Sequence, residues 1–290
     1  MSEFSIIVDS ACDIFPELAE RFELNIVPLT VRLDGKEYLD CRGEGGISPD
    51  VLSEKLKRCS EIKTSSPSVE LFAETMEKPL AEGKDVLYIG FSSTLSGTYN
   101  AGRIAADMLS ARYPERSILT VDSYSASLGY GMLVWLAALE REKGCSVSEA
   151  AAFAESMKLR INHWFTLSDL AFLRRGGRLS AAAATVGIVL HIKPVMHMDA
   201  DGHLTPVTKV RGRNASLKTI AEKVREHAVN PEEQTVFICQ CGCAEEAEKV
   251  AEMIKAEARV KDVLIGPIGP VISAHTGPGT MGIFFVGESR

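Results

Sequence analysis

With 290 residues, 46% of them hydrophobic and 24% charged, the chain holds enough apolar material for a sizeable core and, at this length, for two domains. Its formal net charge of -7 speaks against nucleic acid as a partner, because phosphate backbones select basic surfaces. No apolar run approaches the roughly 20 residues that span a bilayer, and Met1 to Ile14 lack the basic stretch of a signal peptide. A cytoplasmic protein with at most transient membrane contact is expected.

Ile6 to Val8 reads as a strand ending at Asp9-Ser10, followed by a helix over Pro16 to Phe22. Ile26 to Leu33 reads as a second strand with a turn at Asp34-Gly35, and Pro49 to Lys57 as a helix. Ser66 has the look of an N-cap with Pro67 at the first helical position. Val86 to Gly90 and Ile118 to Val121 are further strands, each followed by a helix, the first over Ala101 to Leu109. This βαβ rhythm predicts an N-terminal α/β/α domain with a parallel sheet, over residues 1–160.

After a helix from Val147 to Leu159 the texture changes. Trp164 to Leu167 is a short strand and Leu170 to Arg174 a short helix, which Arg174-Arg175-Gly176-Gly177-Arg178 breaks. Ala181 to Leu190 reads as an apolar helix. Val195 to Met198 and Leu204 to Val210 flank a hairpin turn at Asp199-Ala200-Asp201-Gly202. Helices follow around Leu217 to His227 and Glu245 to Ala258. The closing strands Val263 to Ile268, Val271 to Ser273 and Ile283 to Val286 are too close together for helical crossovers. A C-terminal mixed α+β domain over residues 161–290 is expected, with a ligand crevice between the two domains.

Seven scattered cysteines suit unpaired thiols. If the strand near Thr235 continues, Cys239, Cys241 and Cys243 share one side. No fourth ligand stands nearby, so packing at a strand end is preferred to a metal site.

The most informative stretch runs from Phe91 to Asn100: a strand, then Ser92, Ser93, Ser96 and Thr98, then a helix. A helix start offers unpaired N–H groups and a partial positive charge to an anion. Gly97 lets a ligand approach the backbone. The loop holds no Lys or Arg, which favours a singly charged carboxylate over a phosphate. An ordinary capped turn is the plainer alternative. Asp9-Ser10 and Asp122-Ser123 lie at neighbouring strand ends, where open α/β sheets bind ligands. Thr64-Ser65-Ser66-Pro67-Ser68 supplies a second hydroxyl-rich helix start, and two such segments suggest a shared anion site.

Over nearly its whole length the chain resembles the DegV family of bacterial fatty-acid-binding proteins. The matching segments are Val8-Asp9-Ser10, Lys63 to Ser68, Phe91 to Asn100, Ser168-Asp169-Leu170 leading into Leu173 to Arg178, Lys193-Pro194, Lys209-Val210-Arg211, and His275-Thr276-Gly277-Pro278-Gly279. The resemblance implies two α/β domains enclosing a long-chain fatty acid such as palmitate, stearate or oleate, and no cofactor. It also implies a carrier without catalysis of its own, which presents the carboxylate to a separate fatty acid kinase for acyl-phosphate formation. Carried onto this chain, Thr64 and Ser96 match the carboxylate-binding hydroxyls, beside the Gly97 amide. Ser65 and Ser93 extend the hydroxyl set. Arg211 and His275 match residues tied to carboxylate contact or kinase engagement. Ser66 stands where Gln is common.

A serine esterase built from Asp9, Asp122, His275 and a serine is the enzyme alternative, although no Gly-x-Ser-x-Gly elbow or phosphate loop occurs. Dihydroxyacetone-kinase-like subunits, which hold substrate covalently on a His, are a further comparison. A purely structural role would leave the paired hydroxyl loops unexplained. Arg174, Arg175 and Arg178 form a basic spot that is either a solvated face or a docking surface for acidic groups.

Overall fold

A computed structural model describes residues 4–41, 43–179 and 192–290. The helix expected over Ala181 to Leu190 lies outside the described residues. Four parallel strands form the N-terminal sheet in the order β2-β1-β6-β7, with β1 (Phe4–Asp9), β2 (Asn25–Val27), β6 (Asp85–Gly90) and β7 (Ile118–Asp122). Strand β6 is buried along nearly its whole length, as its unbroken apolar run requires of a central parallel strand. Helices α3 (Val69–Ala81) and α4 (Thr98–Arg112) pack on one another, and the core around them holds Ile7, Phe72, Tyr88 and Ala105.

The stretch expected as one strand over Ile26 to Leu33 is two. Pro28 and Leu29 separate β2 from β3 (Thr30–Leu33), which leaves the parallel sheet. Proline has no N–H for a ladder, so the break falls there. Strand β3 is the centre of a small antiparallel sheet between β4 (Lys36–Leu39) and β5 (Ile62–Ser65). The Asp34-Gly35 turn joins β3 to β4, with Gly35 at positive φ.

The second half is a six-stranded mixed sheet, order β10-β9-β8-β13-β11-β12. Its strands are β8 (Ile161–Thr166), β9 (Ile192–Met198), β10 (Leu204–Arg211), β11 (Thr235–Gln240), β12 (Asp262–Pro267) and β13 (Met281–Val286). Only β11 and β12 run parallel. Helices α8 (Arg213–His227) and α9 (Ala244–Ala258) pack together against a core of Ile220, Val236, Ile254 and Phe285. Val271 to Ser273, expected as a strand, belongs to helix α10 (Pro270–Thr276). Pro270 at its first position supplies a helix start, which outweighs the apolar triplet.

Helix α5 (Ser127–Glu142) lies between the sheets, packing on β8, β11 and β13 as well as on the turn after β1. One core therefore runs through both halves, from Ile6 and Leu87 through Leu128 to Phe237 and Phe284. Cys239 and Cys241 are buried in it, and all seven cysteines are unpaired. Strand β11 ends at Gln240, so the three cysteines do not share one strand face, and Cys243 instead precedes α9. Among the described residues, the grouped potential metal ligands are Asp199, Asp201 and His203 of the exposed hairpin, not the cysteines. No described helix is long and apolar enough to cross a membrane.

Candidate functional site

Two hydroxyl segments meet at the carboxyl end of the parallel sheet. The loop after β6 is held from below by acceptors. Asp9 Oδ2 accepts the Phe91 N–H at 2.9 Å, Asp122 Oδ1 accepts the Ser93 N–H at 3.2 Å, and the Ser125 carbonyl accepts the Ser92 N–H at 3.1 Å. Asp9 and Asp122 thus brace the backbone. Asp9 takes further bonds from Ala11 N–H, Tyr88 and Tyr130, yet complete burial pushes its pKa up to about 7.

The second segment leaves β5, in which Ile62 and Thr64 are half-buried while Lys63 and Ser65 face solvent. Strand alternation therefore turns Thr64 inward. Helix α3 is capped by Ser68, whose Oγ accepts from Leu71 N–H at 3.2 Å; the cap is not Ser66, as the sequence suggested. Two residues earlier, Ser66 is free to join the opposite loop. Its Oγ lies 3.1 Å from Ser96 Oγ and accepts from Thr98 Oγ1 at 3.0 Å, while Ser96 Oγ and Thr98 Oγ1 are 2.8 Å apart. The three hydroxyls close a ring, and Ser96 Oγ also accepts the Thr98 N–H at the start of α4.

The other half contributes the remaining groups. Helix α10 packs on β3 and β5 and places His275 Nε2 at 2.9 Å from Thr64 Oγ1. Gly176, which ends α7 (Ala171–Arg175), packs against the imidazole so closely that a Cβ there would collide with His275 Nδ1. Burial and the nearby Arg178 charge push the His275 pKa down to about 4, so the imidazole is neutral at pH 7. Its Nδ1 has no partner. Arg178 reaches across the domains to donate from Nε to the Leu95 carbonyl at 3.2 Å, and from Nη1 to that of Gly176. Thr94 Oγ1 likewise donates to the Asp201 carbonyl at 2.7 Å.

These groups border a cavity of about 110 Å³, where one water needs roughly 10–15 Å³. It is lined by the polar cluster of Thr64, Ser65, Ser66, Ser96, Arg178 and His275 and by apolar residues including Phe91, Leu95, Phe165, Leu173, Met198 and Phe284, with Ser127, His163, Thr276 and Thr280 as further polar groups. Of the residues selected from sequence, Thr64, Ser65, Ser96 and His275 are brought together here. Ser93 and Gly97 are exposed beside it and do not line it. Arg211 ends the outer strand β10, opposite Ile192 and exposed, and does not line the cavity either. Arg178 was missed as a site residue. It stood only in a basic cluster, of which Arg174 and Arg175 remain on the surface. No local signal shows that the third arginine folds back onto a loop 83 residues away.

The comparisons with known proteins agree with this architecture. The family model described as an uncharacterised protein of the DegV family matches residues 3–288. A DegV domain-containing protein of Clostridium perfringens is 39% identical over 290 residues, covering 100% of this chain and 99% of its own. The solved structure of a DegV family protein from Thermus thermophilus, described for its fatty acid binding, is 29% identical with a TM-score of 0.87, covering 98% of this chain and 99% of its own. A stearic-acid-binding protein from Eubacterium ventriosum is 26% identical with a TM-score of 0.83, covering 97% of this chain and 98% of its own. With a family match from end to end and a two-domain fold shared with solved members, this chain belongs to the DegV family.

Proposed function

We propose that this protein binds a long-chain fatty acid in the cavity between its domains and presents the carboxylate to a separate fatty acid kinase. The carrying observation is the cavity's mixed lining: clustered hydroxyls, a neutral imidazole and one guanidinium, together with a largely apolar remainder that includes Phe91, Leu95, Phe165, Leu173, Met198 and Phe284. The solved relatives named for fatty acids support the ligand class. Residues 1–160 carry most of the head-group loops, and residues 161–290 cover the acyl chain together with Phe91 and Leu95 of the first half.

The energetics divide between the two ends. Burying a 16-carbon tail at about 0.8 kcal/mol per methylene is worth on the order of 10 kcal/mol. The head group need only be oriented and kept ionised. Thr64 donates to the carboxylate when His275 Nε2 holds the proton of their shared bond, and the Ser66–Ser96–Thr98 ring opens to turn a hydroxyl outward. Arg178 supplies the counter-charge that the β6–α4 loop lacks. A carboxylate held this way stays ionised, as a phosphoryl acceptor must. Arg211 and the surface arginines are left for the kinase, in a cytoplasm where ATP is at hand.

The esterase alternative fares worse on geometry. His275 bonds a threonine rather than a serine, and its Nδ1 meets no carboxylate, while Asp9 and Asp122 hold backbone amides. Denaturing extraction followed by mass spectrometry tests the ligand: stoichiometric fatty acid is expected, and added palmitate should raise the melting temperature of stripped protein. Absence of both effects would refute the reading. With the host's kinase and ATP, Arg211→Ala should lower acyl-phosphate formation more than lipid occupancy. Acyl phosphate formed from ATP by this protein alone would overturn the carrier role.

A further inference from the structure

Among the polar groups that line the cavity, one stands on β8. His163 lies on β8 directly opposite Phe284 of β13, lines the cavity and is 2% exposed. Its ring meets that of Phe284 edge-on at 5.3 Å. Nδ1 is 2.9 Å from the Ile161 carbonyl oxygen. A carbonyl only accepts, so Nδ1 carries the ring proton of the neutral imidazole, and Nε2 is left as a bare acceptor. Burial, reinforced by Arg290 and His197, holds the pKa well below the usual histidine value and keeps the ring neutral.

Nε2 has no hydrogen-bond partner in the protein. Its close neighbour is Gly129, where a Cβ would collide with it and whose N–H makes no hydrogen bond to it. Phe165, Met198 and Phe284 around the cavity have no donor side chains. Buried polar atoms are seldom left unpaired, and a saturated acyl chain cannot serve this one. The carboxylate cannot serve it either, since an acceptor does not bond an acceptor.

We propose that His163 is a specificity-determining residue of the acyl cavity, whose Nε2 accepts a hydrogen bond from a hydroxyl carried on the chain away from the carboxylate. The ligands then include hydroxylated long-chain fatty acids. This inference rests on the fatty-acid reading above. A hydroxyl at a carbon that faces apolar walls such as Phe165 or Met198 loses its water without replacement, so the position of the hydroxyl on the chain decides its effect.

The experiment titrates lipid-stripped full-length protein with stearate and with 3-, 7-, 10-, 12- and 17-hydroxystearate by calorimetry, in the wild type and in His163→Phe. The wild type should bind one positional isomer at least about ten-fold tighter than the remaining isomers, the scale of one satisfied buried group. In His163→Phe that contrast should shrink to about two-fold while stearate affinity changes little. The ¹⁵N resonance of Nε2 in wild-type protein gives a second readout that needs no variant. It should shift on binding the preferred isomer and not on binding stearate. Stearate binding with no contrast among isomers, and no Nε2 shift, overturns the inference alone and leaves a buried water as the partner. Failure of stearate and every isomer to bind overturns the fatty-acid reading with it.

Discussion

Replacing Ser96 with alanine tests the head-group site most directly. Its Oγ lies 3.1 Å from Ser66 Oγ and 2.8 Å from Thr98 Oγ1, and accepts the Thr98 N–H at 3.2 Å. Ser66 and Ser96 line the cavity, whereas Thr98 is fully buried behind them. A carboxylate only accepts, so at least one ring proton must turn toward it. Removing Ser96 Oγ deletes one charge-assisted hydrogen bond, worth about 1.5–3 kcal/mol, which is roughly a 10- to 150-fold loss of affinity for a fatty acid. A fatty alcohol of the same length would lose a neutral bond of about 0.5–1.5 kcal/mol, at most roughly ten-fold. The unliganded protein loses the Thr98 N–H bond as well, about 1 kcal/mol and a melting shift of about 2–4 °C for a chain of this size class. Competitive displacement of a fluorescent fatty acid from lipid-stripped protein reads both affinities. Equal losses for acid and alcohol would mean that Ser96 acts only through loop structure, and no loss for either would remove it from the site.

Thr64→Val should weaken fatty-acid binding about ten-fold, and with His275→Ala the losses should be non-additive by at least about 0.5 kcal/mol, since the two side chains share one bond; additive losses in a double-mutant cycle would refute the pairing. Asp40 is buried with Oδ2 unpartnered, and burial raises its pKa to about 7 from an ordinary 3.8. Its protonated form therefore adds stability that is fully present below about pH 4 and is lost as pH rises through about 7. Asp40→Asn should flatten the fall in urea-unfolding free energy over that window by up to about 1.4 kcal/mol per pH unit, and an unchanged slope would refute the assignment. Arg290 donates to the carbonyls of Tyr124, Lys158, Ile161 and Asp199 and to Ser125 Oγ, tying β8 and the hairpin to the first domain. Arg290→Ala should cost about 3 kcal/mol in urea unfolding, and a loss under 1 kcal/mol would show that water replaces these bonds.

Local chemistry was legible where one short stretch decides its own conformation. The apolar run of β6, the hydroxyls after it and the helix beyond form one contiguous signal, and the Asp201-Gly202 turn is another. Errors arose where two neighbouring cues competed. Ser66 and Ser68 both precede good helix formers, and only the reach of Ser68 Oγ to Leu71 N–H settles which one caps α3. Pro270 and the triplet after it offer a helix start and a strand core together, and the proline prevails. Asp9 and Asp122 looked like ligand contacts because they sit at strand ends. A loop needs acceptors for its backbone N–H groups before it can hold anything, and these two carboxylates serve there. Arg178 was out of reach for any local rule, since its partner lies in the other domain.

That last contact changes what the loop means. The β6–α4 segment contains no cation, which on sequence favours a weakly demanding anion. In the folded protein its Leu95 carbonyl is held by Arg178, and Thr94 is held by the hairpin at Asp201. On the proposed reading, the charge that a carboxylate requires is delivered by the second domain, together with His275 on α10. Neither half alone would then recognise the head group: the first offers hydroxyls without a counter-charge, and the second a counter-charge without the ring of hydroxyls. Tail burial, by contrast, draws on walls from both halves and tolerates imperfect alignment, because apolar contact is not directional. Head-group affinity should then track the docking of the domains far more steeply than tail affinity does.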